Sequence, residues 1–479
     1  MLLVSLLIVA AVLFTKLGSK LGAPSLLLFL LLGMAAGPDG FGLEIKDFHI
    51  AETFGHFAMA VILFSAGLET SWKETRPIFG KSIMLSTVGV TLTMLITGLF
   101  IYYVLRGMIG GVTASITGCF LVAAILSATD STSVFSILRG KRLNLRENLG
   151  PMLELESGSN DPMANILTVT LVGILSSPSY ESHWQVFGIT AFNLLLQVGV
   201  GFAVGLAIGW AGKLLLGKIK LDNSSLYSIL VLSVGMTANG LATTLHGNAL
   251  LAVYVAAIFI GNKAKLAYRH DVLKFFDGIT WMVQLMMFLM LGMLARPSTM
   301  GKVLVPALLI GLFLMIVARP SSVFISMLPF RGMSTKAKVL VSWVGLKGAG
   351  PILCALCTVV AGIDGSGEVF NIVFLISLLS LFMQGFSFPP LSAALHLSYD
   401  RDPEVQTFGM DLPDEMGMLR DHTVTADDLL GGGTLRDLHL PHGIRVMMVR
   451  RDGRFLIPHG SMKLMEGDNL IIVMGESDD

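Results

Sequence analysis

Ser127-Ala128-Thr129-Asp130-Ser131-Thr132-Ser133 cuts into one long apolar run, and Gly345-Leu346-Lys347-Gly348-Ala349-Gly350-Pro351 cuts into another. On either side of each cut the chain is apolar enough to lie in a bilayer. A polar or Gly/Pro-rich break at that depth leaves backbone groups without helical partners, which lipid does not tolerate. Such a break reads as a discontinuous helix lining a cavity inside a membrane protein. Asp130 stands in the first break and Lys347 in the second. Each can meet a half-helix dipole of the sign it needs, an acid at N-termini and a base at C-termini. The reading adopted for both is structural charge compensation, with a direct transport role as the alternative.

Outward from these breaks, hydrophobic stretches long enough to cross a bilayer recur from Leu2 to about His396. They number thirteen, the second and ninth of them short, centred near Ile8, Phe29, Val61, Met94, Ala123, Ile166, Gly201, Val231, Tyr254, Met287, Ile310, Leu353 and Leu378. The broken stretches are the fifth and the twelfth, an odd number apart, so they run in opposite directions. The expected fold is an all-α polytopic membrane protein of about 13 transmembrane helices. Its two inverted repeats, segments 1–6 and 8–13, would cross at their discontinuous helices. The first segment lacks the basic flank and cleavage site of a signal peptide and reads as a membrane helix.

Composition agrees. The 479 residues are 53% hydrophobic and 14% charged, where a soluble protein carries about a quarter charged residues. A soluble enzyme, a disordered chain and a nucleic-acid binder are excluded. Lys+Arg and Asp+Glu are both 33, which leaves no net field for a polyanion. Three cysteines cannot make a disulfide framework, and the Cys354/Cys357 pair reads as small buried residues in an apolar run. Alternate connections between segments carry 19 Lys and Arg against 4 in the others. The positive-inside rule then puts the N-terminus outside and the C-terminus in the cytoplasm of a multi-pass cell (inner) membrane protein.

Past Ser398 the composition turns polar. The expected organisation is a transmembrane domain over 1–397, a linker over 398–426 and a small cytoplasmic α+β unit over 427–479. In that unit Ile444, Val446 and Met448 alternate as a strand should, and so do Phe455 and Ile457. Asp452-Gly453 is a hairpin turn signal, and Leu470 to Met474 reads as a short buried strand. A regulatory or assembly role follows for a unit too small to be an enzyme.

Ionisable groups in hydrocarbon mark function by default. Here they are Asp130, Glu154, Glu156, Asp161, Arg319 and Lys347. In the sixth segment, Leu153-Glu154-Leu155-Glu156-Ser157-Gly158-Ser159-Asn160-Asp161-Pro162, helical spacing puts Glu154 and Asp161 on nearly one face and Glu156 with Asn160 on another. Pro162 frees a carbonyl near Asp161. A carboxylate beside hydroxyls and loosened backbone makes a hard-oxygen site for an alkali cation or a proton, without the His and Cys ligands of a transition metal. The plain alternative for Asp161 is a paired acid that only holds helices together. His56 and His246 read as hydrogen-bonded bystanders near outer helix ends. Glu69, ending the third segment, reads as an exposed helix-end acid that can also funnel cations.

Glu156-Ser157 followed by Asn160-Asp161, preceded by Ala128-Thr129-Asp130 and accompanied by Ala318-Arg319-Pro320 and Gly345–Pro351, resembles the first family of monovalent cation:proton antiporters (CPA-1). The likeness covers 1–397 and is strongest to the bacterial potassium/proton branch. Gly433-Thr434-Leu435, Leu440-Pro441, the Arg450–Ile457 hairpin and Glu466-Gly467-Asp468 resemble the C-terminal subdomain of RCK/TrkA regulators. The resemblance implies a homodimer in which a core holding the crossed helices moves against a dimerisation domain. It implies Asp161 as the shared cation (K+ or Na+) and proton site, with Ser157 and the Thr129 backbone completing the shell. Asn160, where electrogenic relatives carry a second acid, implies electroneutral exchange. Glu156 would pair with Arg319, and Glu154 is left as an entrance residue. No cofactor is implied beyond the transported K+ (or Na+) and H+, and the C-terminal unit would take a nucleotide, an ion or only its dimer mate. Two residues depart from the family pattern: Lys347 where members often have Arg, and Ser131 where a Pro often follows the motif Asp. A sodium/proton antiporter is the nearest alternative. An RCK-regulated cation channel is the rival class, though no TVGYG-like filter is present. An intramembrane enzyme finds no HExxH or GxSxG.

Overall fold

A backbone taken out of water must satisfy its own N–H and C=O groups, so apolar runs of this length fold as helices. The computed structural model describes residues 2–21, 24–109, 111–130, 133–134, 137–138, 143–176, 183–219, 221, 223–264, 266–330, 332–400, 419–425, 427–429, 432–438, 444–451 and 454–474. Ser131, the Leu440-Pro441 motif and the Asp452-Gly453 turn signal lie outside them. The chain divides into two compact units, Met1–Tyr399 and Asp400–Asp479.

The first unit is helical. Its main helices are α1 (Leu2–Leu21), α2 (Ser25–Ala36), α3 (Phe48–Glu69), α4 (Phe79–Leu105), α5 (Ile116–Ile125), α6 (Leu149–Ser176) and α7 (His183–Lys218). There follow α8 (Ser224–Thr244), α9 (Ala249–Lys263), α10 (Arg269–Met293), α11 (Pro297–Ser326), α12 (Thr335–Trp343), α13 (Ala349–Val360) and α14 (Ser366–Ala394). Among the described residues seven helices are long and apolar enough to cross a membrane. Each of the thirteen sequence centres falls inside one of these helices, with the twelfth run divided between α12 and α13.

Two packing groups form within this unit. In one, α2, α3, α7, α9 and α10 approach backbone to backbone through small residues. A Cβ on Gly33 of α2 would run into the Leu289 carbonyl of α10, and one on Gly292 into the Leu30 carbonyl of α2. Gly67 and Gly261 bring α3 and α9 together in the same way. In the other group α4, α5, α6 and α11 pack together, α13 packs on α14, and α14 on α11. Phe100 of α4 stacks on Phe313 of α11 at 3.9 Å, and Thr93 Oγ1 donates to Ser322 Oγ at 2.8 Å. In α11 a wider π-type turn covers Leu314–Ala318 just before Arg319-Pro320. Pro320 has no N–H and its ring crowds the carbonyl four residues back, which gives this widening a local cause.

The second unit carries an antiparallel sheet of β1 (Leu419–Thr423), β2 (Ile444–Arg451), β3 (Arg454–Leu456) and β4 (Asn469–Met474), in the order β1-β4-β2-β3. Its core is Val424, Leu438, Val449, Leu464, Leu470 and Ile472. Three sequence expectations change here. Residues 419–423, read as linker, are a strand paired with β4; five polar-leaning residues carry little hydrophobic signal, and only the partner strand reveals them. A register shift between Val446 and Met448 breaks the alternation of β2, so Val449 turns inward and Met448 is exposed. Leu456 packs on the core and Ile457 is 87% exposed, so the expected alternation does not bring Ile457 to the core.

Candidate functional site

α5 stops at Ile125, and Ala128, Thr129 and Asp130 run on without helical bonding. The second break spans 344–348, between α12 and α13, so Pro351 falls in the first turn of α13 rather than in the gap. The two breaks meet: the Asp130 amide donates to the Leu346 carbonyl at 2.8 Å. Lys347 is buried, and its Nζ donates to the Ala128 carbonyl at 2.7 Å. That carbonyl lies just past the C-terminus of α5, where a cation is favoured. The Lys347 amide donates to Ser380 Oγ of α14 at 2.8 Å. Asp130 accepts from the Ser133 hydroxyl at 2.7 Å and the Ser133 amide at 3.4 Å, where helical residues resume. A Cβ on Gly348 would strike the Asp130 carboxylate, so only glycine lets the breaks lie this close.

α6 runs unbroken through Pro162 beside this crossing. One of its faces carries Glu154, Ser157 and Asp161 into a cavity of about 30 Å³, shared with Asp130, Gln284 of α10 and Gly350 of α13. A space of that size holds a water or one small ion. Asp161 is half-buried on its wall, and a Cβ on Gly350 would lie 3.2 Å from Asp161 Oδ1. Ser157 Oγ donates to the Thr129 carbonyl at 2.7 Å, tying the cavity wall to the first break.

The other face of α6 carries Glu156 and Asn160, both buried. Arg319 Nη2 donates to Glu156 Oε1 at 2.9 Å, with both side chains 2% exposed. Asn160 Nδ2 donates to Glu156 Oε1 at 3.0 Å and to Thr129 Oγ1, and Asn160 Oδ1 accepts from the Thr129 amide at 3.3 Å. Both ends of the Asn160 amide are therefore occupied by framework.

The structure thus gathers Asp161, Ser157, Glu154 and Asp130 around one cavity and sets Thr129, Asn160, Glu156, Arg319 and Lys347 in the network behind it. Glu69, at the end of α3, is not among the lining residues. Of the residues lining the cavity, sequence reading missed Gln284 and met Gly350 only as part of the glycine-rich break. Gln284 is uncharged and was not counted with the ionisable groups, although a lone amide in an apolar helix is itself a signal. Gly350 has no side chain to notice, and its value lies in the room it leaves. Cys354 is buried, as expected of a small apolar residue; Cys357 is half-buried, and its sulfur faces His56.

Residues 3–394 match the transmembrane sodium/hydrogen exchanger family, and residues 419–478 match the TrkA-C domain. The K(+)/H(+) antiporter NhaP2 of Shewanella baltica is 36% identical over 480 residues, covering 98% of this chain and 80% of that one. The K(+)/H(+) antiporter NhaP of Alkalimonas amylolytica is 33% identical over 487 residues, covering 100% and 81%. The solved sodium proton antiporter MjNhaP1 of Methanocaldococcus jannaschii superposes with a TM-score of 0.68 at 22% identity, over 80% of this chain and 97% of that one. The fold is therefore that of an antiporter, and the TrkA-C match begins at the strand that sequence reading left in the linker. With motifs, fold and relatives in agreement, the chain belongs to the sodium/hydrogen exchanger family: it is a multi-pass membrane transporter of the cation/proton antiporter kind, and not an enzyme.

Proposed function

We propose that the chain exchanges cytoplasmic K+ for external H+ at the single carboxylate of Asp161, electroneutrally and by alternating access. The observation that carries this reading is the small cavity where Asp161 meets Ser157 and the edge of the helix crossing. Asp161 holds a proton or a cation, never both. Either loaded form reorients. The bare carboxylate does not, because moving an unpaired charge through low dielectric is expensive. One-for-one exchange follows from that exclusion. Asn160 supports it, since both ends of its amide serve the framework. Glu154, on the same wall, is the entrance residue. Lys347 and Asp130 neutralise the crossing. Potassium is favoured by the relatives that share about a third of their residues with this chain. Sodium is the second reading, favoured by the name of a 24% identical relative, the probable Na(+)/H(+) antiporter 2 of Methanocaldococcus jannaschii.

The wider reading is a homodimer in the inner membrane, N-terminus outside, built of two inverted repeats over thirteen spans. The group holding α5, α6 and α13 moves against the group holding α3, α9 and α10. Residues 419–478 form a cytoplasmic regulatory unit that takes a nucleotide, an ion or its own dimer mate. The test uses proteoliposomes with an imposed pH gradient and a pH-sensitive dye. Potassium dissipates the gradient, sodium and lithium do not, and Asp161→Asn abolishes the response while the protein still elutes as a folded dimer. Dissipation by sodium alone transfers the assignment to sodium. Full-rate exchange in Asp161→Asn overturns the site, and no response to any cation favours the channel class.

A further inference from the structure

Outside the exchange site, three metal-ligating side chains converge where α3 meets α13. His56 Nε2 stands 3.7 Å from Cys357 Sγ. Glu52 lies one turn before His56, a spacing that puts both on one helix face. A carboxylate oxygen, the imidazole nitrogen and the thiol sulfur all lie within 4.8 Å of one another, and all three residues are half-buried. They are thus neither sealed in the core nor loose in solvent.

This arrangement has the dimensions of a metal site. Zinc bonds of about 2.3 Å to sulfur and about 2.0 Å to nitrogen, at a tetrahedral angle, hold those two atoms about 3.5 Å apart. The observed 3.7 Å is close to that separation already. The Glu52 carboxylate, on a long flexible side chain, needs only a small swing to complete the set. Two ligands at i and i+4 on one helix are a familiar half of such a site, and a ligand from a second helix closes it. Carboxylate, imidazole and thiolate together select a borderline divalent ion of the zinc class, not the alkali ion suited to Asp161. Three protein ligands leave a fourth position for water.

We propose that Glu52, His56 and Cys357 bind a zinc-class divalent cation that fastens α3 to α13 and so slows exchange. The inhibitory half rests on the reading that α13 moves with the Asp161 group against α3. α3 packs on α9 and α10, whereas α13 follows the second break and packs on α14. At the junction a Cβ on Gly55 of α3 would strike the Leu353 side chain of α13, so the contact is made through a side chain and not through backbone. A ligand held by both helices in one arrangement favours that arrangement over the others.

Two readouts on the full-length protein test this. Purified protein is titrated with Co2+, and the thiolate-to-metal charge-transfer band is followed. Proteoliposomes carry out exchange with and without micromolar Zn2+ on both faces. We expect a one-to-one thiolate band that is lost in Cys357→Ser and weakened in His56→Ala. Zn2+ slows exchange roughly tenfold, as binding biased to one conformer does, and EDTA restores it. Both variants exchange at the unmodified rate and ignore Zn2+. Absence of the band overturns the site and leaves an ordinary thiol–imidazole contact. A band without slowing overturns the clamp. Slowing that persists in Cys357→Ser assigns inhibition elsewhere. Failure of metal-free protein to exchange at all counts against the transport reading and not against the site.

Discussion

Glu156 and Arg319 are each 2% exposed and joined at 2.9 Å. A buried pair adds little over an apolar substitute, but removing one partner strands the other charge at a cost of about 3–5 kcal/mol. Glu156→Ala should therefore lower the melting temperature of the detergent-solubilised protein sharply. Glu156→Gln still accepts from Arg319 but also strands its charge, so it should lower the melting temperature too, by less than Glu156→Ala to the extent that the hydrogen bond and packing matter. Equal losses in the two variants would mean that the charge, which both remove, and not the hydrogen bond or packing is at stake. At this scale sequence reading reached some residues and not others, for physical reasons. Helical spacing alone separated Glu154 and Asp161 from Glu156 and Asn160, because a continuous helix fixes faces. It could not supply Arg319 as the partner of Glu156, which is 163 positions away; the motif likeness did. Gln284 stayed silent because it is uncharged, and Gly350 was read only as part of the break because its significance lies in its missing side chain.

Elements behave differently in the two units. In the membrane unit the breaks were visible as polar and glycine-rich cuts, and the structure moves the second only to 344–348. In the C-terminal unit the pattern of period two fails at a single inserted register step in β2, and no propensity marks that step. The turn before β4 supplies a test of its electrostatics. Arg451 clasps Asp468 with Nε and Nη2 at 2.8 and 2.6 Å, and those bonds hold the Asp468 carboxyl below its usual range. A carboxyl lowered in the folded state stabilises above its unfolded pKa and stops doing so as pH falls through its folded one. Hydrogen exchange of β2 and β4 in the full chain should therefore quicken in acid, relative to intrinsic rates. Asp468→Asn should exchange quickly at neutral pH and show a flatter acid dependence. An unchanged pH profile in that variant would remove Asp468 from the account.

For the whole molecule, the proposed competition at Asp161 would link the two cargoes. Each lowers the affinity for the other by the same factor. The apparent KM for potassium in proteoliposomes should rise as pH falls, approaching about tenfold per pH unit where the proton dominates. A KM independent of pH, with only the maximal rate changing, would show that proton and cation do not share Asp161. The division into apolar spans was legible because hydropathy is local. The pairing of spans was not, because small-residue contacts join segments far apart in the chain. The contact of Gly33 with Gly292 has a consequence for biosynthesis. α2 has 12 residues, roughly 18 Å of helix against roughly 30 Å of hydrocarbon. Its glycine partner on α10 is translated about 260 residues later, which at roughly 5–20 residues per second takes about 10–50 s. Through that interval a 12-residue segment has α1 to pack on but not α10. The pace of translation between the two codons then sets how long α2 is exposed to the proteases that police unfinished membrane proteins.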